Sequence, residues 1–190
     1  MIRALSWTGV EEWLAEHARV QLRPDGLLAT GIQLGAEPEP YRLDYHLDVP
    51  RDWITRRLEV ESAGEGWWRT IVLERDAEGG WTVDGQRDAR LDGAVDCDLA
   101  FSPLTNVMPI LRHDLHERPE SSDFVMAWIS VPDLQVHRSP QRYEHVRPGV
   151  VRYVALDGDF TAELELDADG LVVHYPRLAE RVAPGRTVDQ

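Results

Sequence analysis

Carboxylates carry most of the chemical potential of this chain. Asp96 and Asp98 flank the single cysteine in Gly93-Ala94-Val95-Asp96-Cys97-Asp98-Leu99. On a strand the two acids share one face, about 7 Å apart, a separation suited to general acid–base work at a glycosidic bond. Any wetted strand face gives the same pattern in a chain with 34 acidic residues. Cys97 points away from both acids, and their charges disfavour its thiolate, so it reads as a buried, inert thiol. His113-Asp114-Leu115-His116 would gather two imidazoles on a helix and split them across the faces of a strand. No cysteine cluster or His-Glu-x-x-His accompanies it, and two surface histidines are the plainer reading. Asp167-x-Asp169-Gly170 matches the start of a calcium loop but lacks the downstream bidentate glutamate. There is no Gly-x-Ser-x-Gly elbow and no lysine at all, which removes Schiff-base chemistry and the lysine-dependent phosphate loop. No catalytic residue, metal or cofactor is assigned.

Aromatic residues suggest a different chemistry. Seven tryptophans are present, two of them adjacent, Trp67 and Trp68. On a strand these neighbours face opposite sides; Trp68 is taken as the one that lines a cavity. Aromatic rings and arginines on a curved sheet could stack on sugar rings or hold an acyl chain, with guanidinium hydrogen bonds to hydroxyl or phosphate groups. Ordinary core packing accounts for the same rings.

The elements that must position these residues are short and alternating. Tyr41, Leu43, Tyr45 and Leu47 share one face of 41–48, and Phe160, Ala162, Leu164 and Leu166 share one face of 160–166. A period of two marks strands with one buried and one wetted side. Turn signals such as Arg23-Pro24-Asp25-Gly26 and Asp157-Gly158 separate them. About ten strands are expected, mainly antiparallel, with little helix. Residues 10–20 fit either a short helix or a strand; the Pro-Asp-Gly that follows favours a strand paired with 27–32. Residues 102–112, with two prolines, read as a structured excursion rather than a strand. Leu73–Gly79 and Leu164–Gly170 match at five of seven positions, 91 residues apart. Either two hairpins converge on similar turns, or the sheet has two similar halves.

The 190 residues suit one domain, 1–182, followed by a loose tail, 183–190. A net charge of −14 opposes binding to nucleic acid or to an anionic membrane surface. No apolar run has the length of a signal peptide or a membrane span, so a soluble, cytoplasmic protein is expected. The oligomeric state is left open.

From residue 91 onward a family pattern emerges. Asp96-x-Asp98-Leu99 leads to Ser102-Pro103-x-Thr105-Asn106-x-x-Pro109-Ile110-x-Arg112; then come Val131-Pro132, Gln141-x-Tyr143, Arg152-Tyr153, Phe160-x-Ala162, Asp167-x-x-Gly170-Leu171-Val172 and Tyr175-Pro176-x-Leu178. This order resembles the bacterial putative glycolipid-binding family, first known only as a domain of unknown function. Two positions depart from the pattern: His174 replaces an acidic residue, and Leu111 replaces an arginine before Arg112.

The resemblance implies a mainly β fold, a strongly curved antiparallel sheet forming an open or half barrel. It is similar in shape to periplasmic lipoprotein carriers. The function implied is non-enzymatic binding of a glycolipid or other amphiphile on the concave face. Asn106, Arg112, Gln141 and Tyr143 are the expected polar contacts, joined by Asp98, Tyr175 and Trp68. Arg112 has a second reading, as the structural partner of Asp96 or Asp98. The alternatives are a glycoside or ester hydrolase using the carboxylates or the His113/His116 pair, and an interaction module without a ligand.

Overall fold

The computed structural model describes residues 1–183, so the expected tail lies outside the described residues save for its first position. Fifteen strands form one curved, unclosed sheet. The first eight are β1 (Ile2–Gly9), β2 (Leu14–Arg23), β3 (Gly26–Gly35), β4 (Tyr41–Val49), β5 (Arg57–Gly64), β6 (Trp67–Arg75), β7 (Trp81–Val83) and β8 (Gln86–Arg87). After a short 3₁₀ turn come β9 (Asp96–Leu99), a second 3₁₀ turn (Pro103–Asn106) and the helix α1 (Val107–Arg112). The remaining strands are β10 (Ser121–Ile129), β11 (Val136–Arg147), β12 (Val150–Ala155), β13 (Thr161–Leu166), β14 (Val172–Tyr175) and β15 (Ala179–Arg181). This is the half-barrel architecture expected, with more strands than the ten or so that the sequence suggests. Residues 14–23 are a strand and pair with β3 through the Pro24-Asp25 turn. No helix among the described residues is long and apolar enough to cross a membrane.

The sheet order runs from β8 in sequence back to β1, then from β15 back to β9. Each half is a meander, and β1 and β15 join the two. Among the described residues all strand pairs are antiparallel except β9 with β10. That exception has a simple origin. Strands β3 to β7 and β10 to β14 follow the same order across the sheet, at close to the spacing of the sequence repeat. In this alignment β1 matches β9, and the segment matching β2 is residues 103–112. In the first half β2 separates β1 from β3, so those two run parallel. In the second half the separating strand has left the sheet, and β9 lies directly beside β10. Pro103 and Pro109 explain the departure, because each lacks the N–H a ladder requires.

The displaced segment plugs the space between the halves. Leu104, Val107 and Met108 join the core of the first half, while Ile110 joins the second. Arg112, at the end of α1, ties the plug to β9. Its Nη1 and Nη2 donate to Asp96 Oδ1 (3.0 Å) and Oδ2 (2.8 Å). Nη1 also donates to the Trp53 carbonyl (2.8 Å), and the guanidinium lies over Phe124. Asp96 is 0% exposed. Burial pushes its carboxyl up from the ordinary value, with Arg112 the chief opposing influence.

Removing one partner of a buried ion pair strands the other charge, at about 3–5 kcal/mol. Arg112→Met is expected to lose that amount in denaturant unfolding, and Asp96→Asn combined with Arg112→Met to recover much of it. Wild-type stability in the single variant would show that the plug does not depend on this pair.

Candidate functional site

One end of the sheet is left open by the plug, and aromatic rings line it. A hollow of about 240 Å³ is bounded by Asp98, Phe101, Asn106, Trp128, Tyr153 and Phe160, with Tyr175 beside them. Through Phe101, Phe160 and Leu178 it adjoins a hollow of about 160 Å³ reaching Trp13, Tyr41 and Glu37. Through Trp128, Tyr153 and Phe160 it adjoins a third of about 580 Å³ that reaches His137, Ser139 and Asp157. The three hollows share these walls and lie side by side, forming a cleft region of the size that takes a small ligand.

Strand parity places these rings. Tyr153, on β12, points inward with Val151, and its partner Ala162 on β13 carries the same face. Tyr153, Phe160 and Tyr175 form a triangle with ring centroids 5.9–6.3 Å apart. Tyr143 meets Tyr153 edge-on at 5.4 Å. Trp13 stands at the rim, 64% exposed.

Asp98 is the polar floor of the cleft. Thr105 Oγ1 donates to its Oδ1 (2.9 Å) and Gln141 Nε2 to its Oδ2 (2.7 Å). Burial pushes its carboxyl up from the ordinary value, and Gln141 and Thr105 oppose this. Burial first, then the charge of Asp98 among other neighbours, raises the Tyr153 and Tyr175 phenols as well. Both therefore stay hydroxyls, able to donate. Behind the floor, the Tyr143 hydroxyl donates to Asn106 Oδ1 (2.9 Å), and Asn106 Nδ2 holds the Ser102 and Pro103 carbonyls (3.4 and 3.3 Å).

The structure thus gathers Asp98, Asn106, Gln141, Tyr143 and Tyr175 at one place. Of these, Asp98, Asn106 and Tyr175 line the cleft, while Gln141 and Tyr143 are buried supports. Arg112 is spent on Asp96, away from the cleft. Trp68 stands on the outer face of β6, 62% exposed, and Trp67 is the inward neighbour. Leu111, at the position expected to hold arginine, packs over Gly170. His174 pairs with Glu180. Of the carboxylates Asp96 and Asp98, only Asp98 faces the cleft. Cys97 is fully buried, and burial raises its thiol. Trp128 and Glu16 were not singled out by the sequence, and Tyr153 and Phe160 entered it only as strand- or family-pattern positions, not as site residues. Parity could have found Glu16, which shares its face of β2 with Ala18 and Val20.

The family model described as "Putative glycolipid-binding" matches residues 4–181. The chain belongs to this family. A solved structure of a DUF1089 family protein from Pseudomonas aeruginosa is 30% identical, with a TM-score of 0.79 over 88% of this chain and 92% of that one. No curated protein matches. In this member of the glycolipid-binding family, the motif running from Asp96 to Arg112 builds both the cleft floor and the plug.

Glu16 adds a titratable group beneath the cleft. It is buried on β2, and its Oε1 accepts from Tyr45 (2.7 Å) and from Ser102 Oγ (2.8 Å), while Oε2 has no partner. Ser102 itself lines the cleft. Burial raises the Glu16 carboxyl to about 7, against the lowering effect of Tyr45, Ser102 and Gln33. A raised folded-state value means that folding favours the protonated acid. The resulting stability is complete below the unfolded value near 4.5 and is lost as pH rises through about 7. The loss across that window is of the order of 3 kcal/mol. Glu16→Gln keeps an acceptor and should flatten the dependence in urea unfolding between pH 5 and 8. Equal slopes for the two proteins would remove Glu16 as the cause.

Proposed function

We propose that this protein binds a glycolipid or other amphiphile, without chemical turnover, in the aromatic cleft at the open end of the sheet. The observation that carries this is the pairing of Asp98 with the rings of Tyr153, Phe160, Tyr175 and Trp128 around one hollow. Aromatic faces suit the apolar faces of a sugar ring. A carboxylate accepts hydrogen bonds from sugar hydroxyls, and such charge-assisted bonds are the stronger kind. The adjoining hollow presents Phe101, Leu178, Leu14 and Tyr41 to an alkyl chain, alongside the charged Glu11, Glu12, Glu37 and Arg177. In this arrangement the head group sits over Asp98 and the chain runs toward Trp13. The plug fills the deeper space between the halves, so the ligand lies at the mouth rather than along the whole concave face.

Binding is favoured over hydrolysis because Asp96, the second acid of the motif, is sealed against Arg112. Gln141 and Thr105 hold Asp98 by both oxygens, which suits a fixed acceptor.

Organic extraction of natively purified protein followed by mass spectrometry is expected to release an amphiphile, and adding it back to raise the melting temperature. Phe160→Ala should weaken binding about tenfold or more, equivalent to about 1.4 kcal/mol. Asp98→Asn should weaken glycolipids more than simple fatty acids. Repeated absence of a co-purifying amphiphile, with no thermal shift across lipids and glycolipids, would sink the proposal.

A further inference from the structure

The first half of the sheet carries an unsatisfied polar cluster on its inner face. Ser62 of β5 pairs with Arg69 of β6, and Gly64 pairs with Trp67. The Arg69 guanidinium lies over the Trp67 ring, 4.1 Å from its centroid. Gly64 leaves room for the indole, since a Cβ there would come within 2.6 Å of Trp67 Nε1. Ser62 is 0% exposed. Ser62 Oγ, Trp67 Nε1 and Arg69 Nη1 are all buried without a hydrogen-bond partner.

The chemistry of this set is one-sided. An indole N–H and a guanidinium only donate, and a serine hydroxyl can donate as well. Buried donors of this kind are normally satisfied, yet the described residues supply no acceptor. Among the described residues Arg69 has no ion pair, whereas Arg87 pairs with Asp92 and Arg90 with Asp88. Arg69 lines a groove with Asp84, Asp88 and Asp133, but each of these acids is engaged elsewhere. Asp84 accepts from the Val72 N–H (2.9 Å), Asp88 is clamped by Arg90, and Asp133 accepts from Ser130.

Position reinforces the point. The repeat aligns Leu73 with Leu164 and therefore Arg69 with Phe160, a wall of the aromatic cleft. The groove also meets that cleft physically. His137 lines both and packs against Trp128 at 5.7 Å.

We propose that Ser62, Trp67 and Arg69 form an oxyanion subsite that accepts a carboxylate, sulfate or phosphate group. Where the ligand is the amphiphile argued above, on which this part rests, the subsite selects those with an acidic head group. A free inorganic anion would satisfy the same donors.

The test uses the full-length, ¹⁵N-labelled protein at low ionic strength. Adding inorganic phosphate should shift the Trp67 indole N–H signal saturably, while matched chloride should not. The Trp7 and Trp81 indoles, already bound to the Val172 and Ala94 carbonyls, serve as internal references. Arg69→Gln should abolish the shift, and Ser62→Ala should weaken it should the first variant fail to fold. No phosphate-dependent shift, or a shift unchanged in both variants, overturns the subsite. A second arm compares octyl glucuronide with octyl glucoside. Arg69→Gln should weaken the anionic ligand about tenfold and leave the neutral one unaffected. A phosphate response without that discrimination supports the subsite and assigns it to a free anion. Failure of both octyl ligands to bind, with the phosphate response intact, counts against the cleft reading and not against the subsite.

Discussion

The ion pair between Asp96 and Arg112 is the contact on which the architecture turns. A fifteen-stranded sheet curved this strongly would otherwise enclose a long trough between its halves. The plug fills that trough, and its own apolar side chains supply much of the shared core. Apolar packing is not directional, however, and would tolerate the short helix in several poses. A bidentate guanidinium on a fully buried carboxylate does not. It fixes the end of α1 against β9 and Trp53, and so fixes where the preceding turn sits. That turn carries Ser102, Thr105 and Asn106, the groups that set the floor of the cleft.

The two halves use one plan for different purposes. In the first, the strand equivalent to the plug stays in the sheet and presents Glu16 inward. In the second, the same stretch leaves, and the space opened beside Tyr153 and Phe160 becomes a cleft. Glu16 then reaches across to Ser102 from the intact half. The sole parallel strand pair is therefore a by-product of making room for a site. The matching turns at Asp76 and Asp167 show the common plan at atomic detail. Each aspartate accepts from the N–H four residues on, and each turn holds a glycine with positive φ.

Much of this was legible in the sequence, and the rest has identifiable physical causes. Alternation in 41–48 and 160–166 revealed strands because each has one wet face. The excursion at 102–112 was marked by its prolines. The choice of Trp68 over Trp67 shows where local reading stops. Period two says that one ring points inward but not which one. Ile71 and Leu73, four and six residues beyond Trp67, share its parity and would have decided for Trp67. Asp96 and Asp98 were legible as a pair on one face, but their separate fates were not. Arg112 arrives at one acid from the plug, and Gln141 reaches the other from β11, and no local spacing encodes either approach. Trp128 and Phe160 line the same hollow from positions more than thirty residues apart, and only the register of β10 to β13 brings them there.

Net charge now carries a narrower meaning. A surface at −14 repels anions at long range, yet in physiological salt that repulsion fades over about 8 Å. What an anion meets at contact is set by local groups, and many of the arginines are matched to carboxylates. Arg3, Arg42, Arg57, Arg142, Arg152 and Arg181 all have such partners. Among the arginines without an ion pair, Arg69 is set apart by its surroundings. Arg69 stacks on an indole, stands next to a buried hydroxyl, and has its neighbouring acids turned to other donors. An anion reaching this inner face would meet a guanidinium that has no ion pair among the described residues, beside two further donors that lack partners.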